Sequence, residues 1–539
     1  MKKRNSQHSF TFVLLAGMLC FLVSGCRDLK KENKPESQST AYASSSIFLA
    51  EPKSIQYPME EATMQLSVMI PQEGEKCEKQ SVYRRIEEKT GVSLSYQIVP
   101  QAEYSDTVLT MLDSHNIPDL IYGIPDEMLQ AQLDPDTSEP LLILNAYIKT
   151  DAPNYIQAVQ QNPERQHRAV GEDGNILTFL TFYDTPYRFA DAGPVIRSDL
   201  LERYGIEAPE TYDEWTDTLK ALKNDVQAPL LLTTVEFRYW DYLSAGMGIS
   251  MALDTGALGF YQVDGEVKYG PLEENFTKFV TLLYQWNQDG LLSKRLLDFP
   301  NMGSSDYLLK QANGESGIFF LDSSLIESVN VLSEIDGFSL TLLQDPVMEH
   351  GDVSHLAENR EKTIYGNGFS VSAYCKSPEQ AVRFIDYLYS EECVQLANYG
   401  VLQDTYTMQN GKPKYTEAVY SDPGSLAGNT SQCFTGIIAV DRVNLEVDSR
   451  ILDASNAWLT NKDSQYMLPE PLAEPAMMEG EIRDYIFDLS TYAQTVTLEL
   501  IAGDCLLSSI PDVQEKMRSL GADQCIELLQ EELDAFLSR

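Results

Sequence analysis

Basic side chains are scarce in this 539-residue chain: 40 Lys and Arg face 81 Asp and Glu, a formal net charge of −41. No Lys/Arg cluster stands beyond the N-terminal leader and the tail that follows it, so nucleic acid and anionic lipid are repelled as partners. Histidine is scarcer still, with five residues: His8, His115, His167, His350 and His355. The last two are close, but their spacing does not put both on one helix face, and no cysteine pair stands at zinc spacing, which argues against a metal site. There is no HExxH, no GxSxG and no GxxxxGK[ST], which removes the zinc proteases, the nucleophile-elbow hydrolases and the P-loop NTPases. Spacing along a chain does not test for a glycosidase carboxylate pair among 81 acids, so a carbohydrate-active hydrolase stands as the lesser alternative. After the leader, no apolar run of transmembrane length occurs.

What is present begins at the N-terminus. Lys2, Lys3 and Arg4 precede an uncharged, mostly apolar run from Phe10 to Val23, a positive n-region and an h-region of secretory length. The run closes on Val23-Ser24-Gly25-Cys26, which resembles the lipobox of bacterial lipoproteins. That resemblance implies cleavage after residue 25, diacylglycerol on the Cys26 sulfur and stable anchoring to the membrane; an ordinary leader or an uncleaved anchor helix are the alternatives. Residues 26–55 are rich in Lys, Glu, Ser, Gln and Pro and bury too little apolar surface to fold, so a disordered tether is expected there. Beyond Cys20 and Cys26, Cys77, Cys375, Cys393, Cys433, Cys505 and Cys525 are expected as buried small apolar residues, although export permits disulfides.

With 43% apolar residues, the chain past the tail holds enough apolar side chains for roughly two to four domain-sized cores. Its first folded part alternates. A strand is expected over 64–70, a helix over 77–89 with Val82, Tyr83 and Ile86 in step, a strand over 92–99, a helix near 103–113 and a strand over 118–123. Strands and helices in this succession feed a parallel sheet, and the expected fold class is α/β. A second α/β block follows residues 193–201. Thr211-Tyr-Asp-Glu214 reads as a capping box opening a helix with Trp215, Leu219 and Leu222 on one stripe. Ser377-Pro378-Glu379-Gln380 reads as the same device with proline at the first helical position. The C-terminal third reads as helices, one over 484–501 stopped by Gly503 and a last one over 523–537.

Several stretches, in order, resemble the extracellular solute-binding proteins of family 1, in particular the large lipoprotein members of ABC transporters that take up oligosaccharides. They are IEEKTGVSLSYQIVP (86–100), IPDLIYG (117–123), RSDLLERYGIEAPETYDEW (197–215), YGPLEENFTKFVTLLYQWNQDGLL (269–292), residues 377–416 and DLSTYAQTVTLELIAGD (488–504). The resemblance implies a two-lobed, periplasmic-binding-protein-like fold of type 2, with ligand in a cleft between lobes joined by a hinge that the chain crosses more than once. Lobe one is expected from 56–192 plus 321–366, and lobe two from 193–320 plus 367–539. Closure on ligand is a population shift driven by contacts made in the closed state. The implied partners are a carbohydrate ligand and the membrane permease, with the protein itself a monomer. A peptide ligand, or a sensor role beside a membrane receptor, is the alternative within the same fold. Many relatives carry an acidic loop resembling a calcium site after the helix matching 211–223; here KNDVQAPLLLT (223–233) keeps Asp225 alone. No calcium ion and no other cofactor are carried over.

A sugar offers hydroxyls and an apolar C–H face, so its pocket needs flat aromatic platforms and planar or charged hydrogen-bonding groups. Trp215 and Trp286 sit in helical apolar stripes and read as core. Trp240, in EFRYWDYLSAGMG with Tyr242, and Trp458, in DASNAWLTNK, stand outside clean stripes, and cleft and core are both open for them. Residues leaving strand ends complete the candidates, because cleft residues in such folds lie there: Tyr122, Tyr187 and Arg188, Asp322, and Tyr365 with Asn367.

Overall fold

A computed structural model describes residue 48 and residues 54–59, 64–71, 81–114, 116–131, 140–171, 174–232, 237–253, 257–293, 305–356, 361–417, 435–473 and 481–538. The leader, Cys26 with its expected lipid, most of the tether, Cys77 and Cys433 lie outside the described residues.

The first core forms around β1 (Met64–Pro71), β2 (Val92–Val99) and β3 (Leu120–Tyr122). β1 runs parallel to both neighbours, as the alternation of strand and helix requires. Leu66, Val68 and Ile70 point into one apolar cluster and Met69 into another, so the sheet is covered on both faces, as parallel sheets are. Ser67 is the polar exception in β1; its hydroxyl and its N–H both donate to Asp119, at 2.7 and 2.8 Å. Helices α1 (Ser81–Thr90) and α2 (Gln101–Ser114) cover the faces, α1 burying Val82, Tyr83 and Ile86 and α2 burying Tyr104, Val108 and Leu112. α3 (Pro163–Ala169) packs on this body through Ala169.

Two strands lead across to the second core: β4 (Leu180–Tyr187) and β5 (Ala192–Arg197). α4 (Tyr212–Leu222) follows, opened by the expected capping box; Thr211 Oγ1 accepts from Glu214 N at 3.3 Å and Glu214 Oε2 accepts from Thr211 N at 3.1 Å. Next come β6 (Ala228–Leu230), the hairpin β7 (Phe260–Val263) and β8 (Glu266–Tyr269) turning at Asp264-Gly265, α5 (Glu274–Gln288), β9 (Ser316–Asp322) and β10 (Leu340–Leu342). β10, β5, β9 and β6 form one sheet, in that order. Trp215, Leu219 and Leu222 of α4 and Phe279, Leu283 and Trp286 of α5 bury against it, so the reading of Trp215 and Trp286 as core residues stands.

The chain then returns. β11 (Lys362–Asn367) pairs with β4, and β12 (Phe369–Val371) lies antiparallel to β3, completing the first sheet. α6 (Pro378–Tyr387) sends Ala381, Val382, Phe384 and Ile385 into the first core. Its N-terminus departs from expectation: Ser377 makes no side-chain cap bond, and Pro378 alone marks the start. A hairpin of β13 (Tyr406–Gln409) and β14 (Lys412–Tyr415) precedes β15 (Ile437–Ile438), which joins β4 on the side away from β11. α7 (Ser449–Trp458), α8 (Glu481–Ala502) and α9 (Ala522–Ser538) belong to the second core, to which Trp458, Leu489, Ala493, Leu529 and Leu533 contribute.

This pairing corrects the expected lobe boundaries. Val329 and Leu343 pack in the second core, and β9 and β10 flank β5, so residues 321–342 belong to lobe two. Phe369 to Ala397 supply the first core, so the chain beyond 367 begins in lobe one and passes to lobe two after β15. The tether boundary at 55 is also too late, since Phe48 is buried in the first core and its carbonyl accepts from Gln160.

Candidate functional site

Among the described residues, the chain passes between the two cores three times: from β4 to β5, from β10 to β11 and from β15 to α7. The three-stranded sheet β11-β4-β15 is therefore the hinge. Phe182 faces the first core, and the pairing of β4 with β11 is irregular between Phe182 and Tyr187, a break from strict strand alternation that brings the Tyr183 and Tyr187 rings together. Tyr183 and Tyr187 stack with centroids 5.0 Å apart and 29° between planes, and Tyr187 and Phe189 continue the row at 6.3 Å and 13°. Tyr365 on β11 meets Tyr183 edge-on at 5.6 Å. Tyr365 is 56% exposed, while burial holds the Tyr187 phenol above its ordinary pKa. The structure thus brings Tyr187 and Tyr365, both expected from the sequence, into one aromatic platform.

Tyr183 and Phe189 complete that platform and were not among the candidates. The signal for them was the cluster of aromatics in YDTPYRF, at 183, 187 and 189, while the irregular pairing that stacks Tyr183 on Tyr187 leaves no local mark. Arg188 lies in the same turn, and its Nη1 donates to the Lys462 carbonyl at 3.0 Å. Asp322 is half-buried at the end of β9, opposite Ala192, so it stands beside the first crossing. Tyr122 ends β3 with its ring 5.0 Å from Phe369. Asn367 spans the exit of β3, its Nδ2 donating to the Ile124 carbonyl and to Asp126 Oδ1, both at 2.8 Å. Asp126 also binds Arg168 of α3. Tyr122 at the end of β3 and Asn367 at the end of β11 thus stand at the exit of β3, where their contacts are structural.

Trp240, Tyr242 and Trp458 are corrections. Trp240 is fully buried, its ring 6.4 Å from Phe279 in the second core. Tyr242 stacks on Phe320 at 5.6 Å, and its hydroxyl donates to the Ala192 carbonyl at 2.9 Å. Trp458 is fully buried and its indole N–H donates to the Pro194 carbonyl at 3.1 Å. A Cβ at residue 193 would lie 2.5 Å from the Trp458 ring, so Gly193 makes the room that the indole fills. A ring with no exposed face cannot stack on a sugar in this conformation.

The polar frame of the hinge is built around Lys462. Its ammonium is 2.7 Å from Asp345 Oδ2, both side chains being nearly inaccessible (3% and 8%), and it also lies 5.0 Å over the Tyr242 ring. Burial raises the Asp345 pKa, and the Lys462 charge opposes that rise. Since the Lys462 carbonyl holds Arg188, one residue ties the first crossing to the start of the second. Ser455 Oγ on α7 accepts from Ala190 N at 2.8 Å, tying in the third. Asp225, the single acid kept in the loop where relatives resemble a calcium site, accepts from Arg203 Nη1 at 2.8 Å and from the Tyr204 hydroxyl. Among the described residues, no group of three His, Cys, Asp or Glu side chains is arranged to hold a metal ion, and Cys375, Cys393, Cys505 and Cys525 are free thiols. No described helix is long and apolar enough to cross a membrane.

The three crossings join two α/β lobes, and comparison with known proteins identifies chains of similar sequence and fold. The fructooligosaccharide ABC transporter substrate-binding protein of Streptococcus pneumoniae is 21% identical over 341 residues, and that match spans 60% of this chain and 60% of the relative's length. Two solved structures from Bifidobacterium longum subsp. infantis share the fold. An extracellular solute-binding protein aligns with TM-score 0.63 and 14% identity over 89% of this chain and 99% of its own. An HMO-binding, ABC-transporter-associated solute-binding protein aligns with TM-score 0.62 and 14% identity over 89% of this chain and 100% of its own. Residues 78–393, more than half of the sequence, match the family described as bacterial extracellular solute-binding protein, and the chain belongs to that family.

Proposed function

We infer that this protein is a binding component of an ABC importer that captures a carbohydrate, an oligosaccharide, by closing its lobes on it and passes it to the membrane permease. The observation that carries this reading is the set of accessible rings Tyr187, Phe189 and Tyr365 on the hinge sheet, backed by the buried Tyr183. Apolar sugar faces stack on such rings, and Arg188 and Asp322 beside them suit hydroxyl groups. Relatives named for fructooligosaccharide and HMO binding support a sugar chain rather than a single ring. Cys26, under its lipobox, is the anchor in this reading, holding the protein at the outer face of the cytoplasmic membrane as a monomer. Binding and release complete its task, and the ligand leaves chemically unchanged.

The test is unfolding of the protein against a panel of fructooligosaccharides, other oligosaccharides, monosaccharides, uronates and peptides. A ligand at 100 times its dissociation constant stabilises the native state by about 2.7 kcal/mol. One oligosaccharide class is expected to do so. Tyr365→Ala, at a half-exposed ring, is expected to weaken that ligand by about 0.5–1.5 kcal/mol while leaving the ligand-free unfolding midpoint unchanged. A shift with peptides and none with sugars would overturn the reading.

A further inference from the structure

The C-terminal helix α9 is rooted in the second core by Cys525, Leu529 and Leu533. Gln530 fixes it on the β7–β8 hairpin, accepting from Val267 N at 2.8 Å and donating to the Gly265 carbonyl at 2.8 Å. Its last turn then reaches the other lobe. The Phe536 ring lies 5.0 Å from that of His167, tilted by 33°. Phe536 is half-buried there, whereas Leu537 beside it is 61% exposed.

His167 belongs to α3, and α3 is bound to the candidate site by the residues around it. Arg165 Nη2 donates to the Tyr183 carbonyl at 2.6 Å, and the same guanidinium lies 4.7 Å over the Phe182 ring. Glu164 Oε2 accepts from Thr363 Oγ1 at 2.6 Å, two residues before Tyr365 on β11. Arg168 pairs with Asp126, which holds Asn367. A contact at His167 is thus relayed through one short helix to both strands that carry the aromatic platform.

We propose that Phe536 and His167 are positioning residues, an inter-lobe latch through which the C-terminal helix of lobe two holds α3 of lobe one and steadies the aromatic platform from outside the hinge. The latch rests on the reading that ligand is bound by lobe closure, but its own action needs no ligand. An aromatic contact made in one arrangement of the lobes and lost in another biases that equilibrium by its own free energy, a factor of roughly two to ten.

Hydrogen exchange of the full chain, without any sugar, tests it. Phe536→Ala and His167→Ala are each expected to speed exchange of the α3 and β4 amides by roughly two- to tenfold. The double variant should go no further than either single one, because both remove the same contact. Phe536→Tyr should restore wild-type rates, Leu537→Ala should change nothing, and the amides of α5 in the second core should keep their protection throughout. Unchanged α3 exchange in both single variants, effects that multiply in the double variant, or equal loss of protection in α5 would overturn the latch. If Phe536→Ala destabilises the whole lobe, His167→Ala decides alone. Because no carbohydrate is present, failure here leaves the proposed ligand class standing.

Discussion

At the scale of single residues, Lys462 does the most. Its side chain pairs with the buried Asp345 carboxylate and opposes the rise in pKa that burial imposes there, and its backbone holds Arg188 at the first crossing. Removing one partner of a buried pair leaves an uncompensated charge, which costs more than the pair contributes. Lys462→Met is therefore expected to lower the unfolding free energy by about 3–5 kcal/mol, with Asp345→Asn in the same chain recovering a large part of the loss. Urea titration of the single and double variants checks this; a double variant no more stable than Lys462→Met would contradict it. Tyr187 closes β4 half-buried and Tyr365 stands exposed within β11, so two accessible rings were legible at this scale. Trp240 and Trp458 were not, since what buries them is remote in sequence: Phe279 against Trp240, and the bare α-carbon of Gly193 against Trp458.

At the scale of elements, local signals read well where their chemistry is local. β1, β2 and the capping box of α4 stand where pattern and turn chemistry put them. The Ser377 motif looks the same on paper and lacks the cap bond, because cap geometry depends on the residue's own backbone angles as well as its type. Ser377 has φ −136° and ψ 64°, whereas Thr211 has the extended φ −99° and ψ 159° that aims the hydroxyl at the orphan N–H groups. The two sites make a matched pair. Thr211→Ala is expected to cost about 0.5–2 kcal/mol of stability, and Ser377→Ala under about 0.5 kcal/mol. Thermal or urea unfolding measures both, and equal losses would contradict the assignment. The backbone pairing of Val347 on either side of Thr211 is untouched by the substitution, so the loss expected is that of the cap alone.

At the scale of the whole molecule, the class of fold and the existence of two lobes followed from alternation and family resemblance, but the division of the chain between them did not. β9 and β10 are placed by antiparallel pairing with β5, and β12 by pairing with β3. Such pairing is chosen by burial against distant partners, and nothing in the local pattern of residues 316–371 announces it. The corrected division gives the hinge its three crossings and sets the platform on the strands that must bend or hold when the lobes move. The most direct test of that account is small-angle X-ray scattering of the protein, titrated with fructooligosaccharides and the other sugar classes of the unfolding panel. A fall in the radius of gyration is expected with one oligosaccharide class, saturating with its binding and shifted to higher concentration by Tyr365→Ala. An unchanged radius of gyration at saturation with the sugar that stabilises the fold would contradict capture by lobe closure.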